Sequence, residues 1–176
     1  MDQLHLEEYM ALRATIRERG SLKAVLFVST LGVWALITVL LAAFIDLPLA
    51  SIIPLLVLMG GFEAVHALHV GAERIGRYLH VHYEAHVPGG LWESAVGAFG
   101  TGHTPSTRPA DGIFSWLFIA AIAAGPLMAG LRATAPELGT LAVIHLLAIA
   151  RVVLAKRAAG RQRAEDQQRF EALLTR

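Results

Sequence analysis

Apolar and polar positions in this chain fall into long blocks. Ala24 to Ile45 carries no charged residue over 22 positions and is bounded by Lys23 and Asp46. At 1.5 Å rise per residue, such a run covers the ~30 Å hydrocarbon core of a bilayer. A second run, Leu47 to Phe62, continues as helix-compatible sequence through Glu63, His66 and His69. Gly112 to Leu131 forms a third, and Leu138 to Ala155 a fourth that only His145 and Arg151 interrupt. Between the first two, Asp46-Leu47-Pro48 reads as a tight turn, because Pro stops one helix and suits the first turn of the next. The pattern predicts an all-α polytopic membrane protein, a bundle of four transmembrane helices at about 24–45, 48–70, 112–131 and 138–155.

The segments around these runs predict the remaining organisation. Residues 1–22 place Leu4, Tyr9, Leu12 and Ile16 at roughly helical spacing, an amphipathic N-terminal helix lying on the membrane or against the bundle. Residues 23–156 make up the membrane domain. It includes a stalk and a Gly- and Pro-rich loop over 71–111, in which Trp92 and Phe99 suit an interface. Residues 157–176, rich in Arg, Glu and Gln, continue the fourth helix as a tail. Thirteen of the fifteen basic residues fall on one side of this topology, Arg132 and Arg151 excepted, so both termini are expected in the cytoplasm.

Composition narrows the class. Hydrophobic residues make up 55% of the chain and charged residues only 16%, with mean hydropathy +0.54. A soluble domain carries about 25% charged residues, so neither a disordered chain nor an ordinary soluble enzyme fits. The absence of Cys excludes disulfides, thiolate zinc sites and a cysteine nucleophile. Near-balanced charge, 15 basic against 14 acidic residues, gives no case for nucleic acid and leaves membrane lipids as the expected surroundings. With Arg far more frequent than Lys, the composition suggests a bacterial inner (cell) membrane. There is no phosphate-binding motif, and Ser94 with His103 lacks the acid of a catalytic triad, so catalysis is not the preferred reading.

Candidate chemistry concentrates in the second helix. At 100° per residue, Glu63, His66, His69, Glu73, Arg77, His80 and Glu84 fall within about one third of the circumference. A polar stripe of this length does not face lipid. With the midplane near Met59 or Gly60, Glu63 lies ~5 Å and His66 ~10 Å towards the cytoplasm, and residues from Glu73 onward are outside the hydrocarbon. One reading is a metal site for iron or zinc at Glu63, His66, His69 and Glu73, since Glu-x-x-His is the i,i+3 arrangement of carboxylate-bridged di-iron bundles. Those bundles need two such pairs, and this chain holds one. The preferred reading is therefore a non-catalytic polar seam that serves assembly or a proton- or ion-linked role, with His145 of the fourth span as a further member.

Three expectations follow from the seam. Glu63 is neutral or hydrogen-bonded to His145, the titratable side chain on another span nearest in depth. Glu73 and Arg77 can pair reciprocally across a twofold axis, predicting a homo-oligomer. Haem between His66 and His145 is disfavoured by a depth difference of ~10 Å. Elsewhere, His82 and His86, with His103 nearby, read as solvated imidazoles rather than a metal pair, and Arg151 as a residue snorkelling to headgroups. Ala121, Gly125 and Ala129 form a small-residue row for close helix packing, and Pro126 a possible kink.

Overall fold

The computed structural model describes residues 3–45, 47–84, 109–129 and 133–174, and among these there are helices and turns but no strand. Helix α1 (Gln3–Phe44) runs 42 residues without a break, joining the amphipathic leader to the first apolar run. Gly20 and Ser21 at the junction weaken a helix but do not end it, because neither removes a backbone donor as Pro does. A 3-10 turn (Pro48–Ser51) follows, with Leu47 extended before it and Pro48 at its first position. Helix α2 (Ile52–Leu79) then passes into a five-residue π turn (His80–Glu84). Helices α3 (Pro109–Ala129) and α4 (Ala135–Leu174) complete the described chain.

Three of these helical stretches are long and apolar enough to cross a membrane: α1, Pro48–Glu84 and α4. The described apolar part of α3, Ile113–Ala129, is shorter, at the lower limit of a spanning length. Many large apolar side chains point away from the chain, among them Val28, Leu36, Phe44, Leu56, Trp116 and Leu147. A surface this apolar is compatible with hydrocarbon around it and not with water.

The chain forms two compact units. The apolar unit comprises the described parts of Ala24–His66 and Ala110–Arg157. All four helices contribute to its core, including Phe27, Leu58, Phe62, Phe118, Ile122 and Val152. Phe27, Phe62 and Phe118 meet edge to face, with ring centroids 5.5 Å apart for Phe27–Phe118 and for Phe62–Phe118, a preferred aromatic geometry. Gly61 lets α2 approach α1 closely, since a Cβ there would collide with the Thr30 side chain. The charged unit comprises the described parts of Met1–Lys23, Ala67–Pro109 and Ala158–Arg176. Its buried residues include Leu79, Val81 and Ala159, together with two carboxylates, Glu84 and Asp166.

Candidate functional site

The α2 stripe is best followed one unit at a time. In the apolar unit, Glu63 binds Arg151 of α4, whose terminal nitrogen lies 2.9 Å from each carboxylate oxygen. The expected partner, His145, is out of reach for a geometric reason. The Glu63–Arg151 pair is 88 residues apart in sequence. Carrying that offset along two parallel helices sets His145 level with residue 57, ~9 Å from Glu63 at 1.5 Å per residue. Depth counted from the ends of the apolar runs had brought the two closer. Arg151, expected to reach towards headgroups, is a half-exposed partner of Glu63. His66 stacks on Phe62, with centroids 5.5 Å apart and planes 12° from parallel.

His145 stands apart from the stripe. It is 3% exposed, and its Nδ1–H donates to the Leu141 carbonyl at 2.8 Å, the i,i+4 bond of its own helix. Its Nε2 points at Gly125 of α3, where a Cβ would come within 2.7 Å. The small-residue row of α3 therefore makes room for an imidazole as well as for helix packing.

In the charged unit the stripe meets the far part of α4 and the start of α1. Glu73 accepts from both ends of the Arg163 fork, Nε at 3.0 Å and a terminal nitrogen at 2.7 Å. The same carboxylate lies 3.6 Å from Arg77 and 3.7 Å from His69, each at i,i+4. Arg77 donates to Asp166 at 2.9 Å, and Arg74 to the same oxygen at 3.1 Å. His80 opens the π turn that ends in Glu84. Glu84, wholly enclosed, accepts from Arg13 of α1 at 2.6 Å and from Tyr9 at 3.4 Å. Glu73 and Arg77, expected to pair across a twofold axis, each have ion-pair partners within the chain, while the Arg77 Nε is buried without a hydrogen-bond partner among the described residues. The extensions of α1 and α4 supply what the membrane spans alone could not.

Aromatic side chains close the unit. His82 stacks on Tyr78 at 4.3 Å and meets Phe170 edge-on at 6.1 Å, so it is packed rather than solvated. His86 and His103 lie outside the described residues. Tyr78 donates to Glu8 at 3.1 Å. Hydrogen bonds from Tyr83 and Tyr78 hold the Glu8 carboxyl below the usual carboxylate range, and burial with the Glu8 contact pushes the Tyr83 phenol up.

Among the described residues no group of three or more His, Asp or Glu side chains is arranged to hold a metal ion. The donor chemistry explains this for the proposed quartet. Glu63 and Glu73 direct their oxygens at guanidinium groups, whose positive charge opposes a cation beside the same carboxylate. Residues that the sequence did not assign to the seam, namely Tyr9, Arg13, Arg163 and Asp166, carry as much of the arrangement as the stripe does. Each is one charge or ring among several on a polar helix, and only the pairing of α2 with α1 and α4 singles it out. Comparison with protein-family models, curated proteins and solved structures gives no match for this chain.

Proposed function

We propose that this chain is a non-catalytic, multi-pass module of the cell membrane, with four spans and cytoplasmic termini, whose polar seam is an assembly device. The observation that carries this reading is the occupancy of the seam: Glu63, Glu73, Glu84 and Asp166 each meet at least one arginine from another helix. Carboxylates so engaged hold helices in register, and the arginine beside each one opposes a metal cation at the same oxygens. An enclosed ion pair stabilises little against an apolar pair of equal size, but removing one partner of it costs about 3–5 kcal/mol, and less for a half-exposed pair such as Glu63–Arg151. Such pairs therefore specify one arrangement of helices more than they add stability. The seam's charges are balanced inside the single chain, so the proposal does not invoke a second copy.

Charge exchange tests the reading. Glu73→Arg and Arg163→Glu alone each place like charges together and are expected to lower stability by about 3 kcal/mol. The double variant restores opposite charges between positions 73 and 163 and is expected to recover part of the loss, since an arginine at 73 still faces Arg77, measured as thermal unfolding in one detergent. If the double variant melts no higher than the worse single variant, the pairing is not what assembles the helices. Recovery of stoichiometric iron or zinc with the wild-type protein, lost in His66→Ala, would favour the metal reading over this one.

A further inference from the structure

Within the apolar unit lies a cavity of about 220 Å³, between the ends of α1 and α3, the 3-10 turn and the start of α2, with His145 of α4 in its wall. Its lining is almost wholly apolar and includes no Asp, Glu, Lys or Arg. The few polar side chains share one property. Thr38 donates its hydroxyl hydrogen to the Trp34 carbonyl at 2.7 Å, Ser51 to Pro48 at 2.8 Å, and His145 its Nδ1–H to Leu141 at 2.8 Å. A carbonyl can only accept, so all three hydrogens are committed. What remains for the cavity is lone pairs: those of two hydroxyl oxygens and, in the Nδ1–H tautomer, that of the His145 Nε2. Pro126 adds to this bias, because it has no N–H and leaves the carbonyl of Ile122, another lining residue, without its helical donor. The Trp34 indole N–H is the one side-chain donor of the lining not so committed.

An imidazole nitrogen of a residue only 3% exposed, set in the wall of an apolar cavity, gains from a ligand group that donates to it. We infer that this cavity binds a small neutral ring carrying a hydroxyl group, a phenol-class ligand whose O–H donates to Nε2 of His145. The volume fits: a 150 Å³ apolar cavity accepts benzene, so about 220 Å³ admits a ring with a few substituent atoms. The polarity fits as well. A hydroxyl donates to the acceptors of the wall and can accept from the Trp34 N–H, whereas an ion would enter with no opposite charge to meet it. Gly125 is the positioning residue, since only a residue without Cβ leaves Nε2 its space. The same chemistry serves a free phenol and the hydroxylated ring of a membrane quinol.

Radiolabelled para-cresol and toluene, alike in shape but differing in the donor, are compared by equilibrium dialysis on the full chain in nanodiscs, with empty discs subtracted. Para-cresol is expected to bind about tenfold more tightly, the worth of one buried hydrogen bond. Addition of para-cresol, and not of toluene, moves the Nε2 nitrogen resonance of His145. His145→Phe brings the preference close to one while toluene still binds. Gly125→Ala, whose methyl crowds Nε2 without removing the ring, lowers the preference in the same direction. Displacement of para-cresol by a short-tailed quinol identifies the membrane source, and its failure to displace identifies a free phenol. Equal affinity for the two probes, no binding of either, an unmoved Nε2 resonance, or a preference that survives His145→Phe overturns the inference.

Discussion

Asp166 shows how burial and pairing compete at a single side chain. It is 6% exposed and lies on α4 beyond the apolar run 138–155. Burial raises the carboxyl pKa, but hydrogen bonds from Arg77 and Arg74, with their charges, outweigh it and hold the group below its ordinary value of 3.8. A carboxyl depressed on folding contributes stability that is complete above its unfolded pKa and is lost as pH falls through the folded one. The gap in melting temperature between wild type and Asp166→Asn is therefore expected to be full at pH 6 to 7 and to close as the pH drops below about 4. A gap unchanged down to pH 3 would mean that the ionised carboxylate is not what Arg77 and Arg74 hold.

At the level of elements, the start of α4 gives a second measurable quantity. Thr134 caps the helix, and Glu137 accepts from both its backbone N–H at 2.8 Å and its hydroxyl at 2.7 Å. Thr134→Ala is expected to cost about 1 kcal/mol in chemical or thermal unfolding, with little change in helix content by circular dichroism. No measurable loss would show that the cap is redundant with packing. The uncharged runs that became helices are visible in the sequence, as are the turn signal at Leu47-Pro48 and the 3.6-residue period of the stripe. All of these are local signals. The partners of the stripe are not local. The ion pairs from α2 to α4 join residues 88 to 92 positions apart, and nothing in the sequence around Arg163 or Asp166 distinguishes them from the neighbouring Arg161 or Glu165. The helix count was legible from where charge is absent; the register between helices depends on where charges meet, and that required the fold. The π turn at 80–84 was equally silent, since inserting one extra residue into a turn leaves the amphipathic period nearly intact.

For the whole molecule, the arrangement in the membrane is open to direct measurement because the chain contains no cysteine. Gly20 and Gly160 stand in open space, so single Cys substitutions there disturb no neighbour, and Ala133 offers a third position in the turn before α4. With four spans and cytoplasmic termini, an impermeant maleimide added to intact cells labels Ala133→Cys alone, and Gly20→Cys and Gly160→Cys only after lysis. If the short apolar helix Ile113–Ala129 does not cross, Gly20→Cys and Gly160→Cys fall on opposite faces. The parallel pairing of α2 with α4 in the charged unit also limits how a signal could travel. A one-turn slide of α4 would set Ala159 or Gln167 opposite Glu73, and Gln162 or Phe170 opposite Arg77. Neither new position pairs a charge with its opposite, so the two helices have no second resting place of the kind that ratcheting helices use. A stimulus reaching this unit can part α2 from α4, breaking its bonds together, but it cannot pass by sliding one helix along the other.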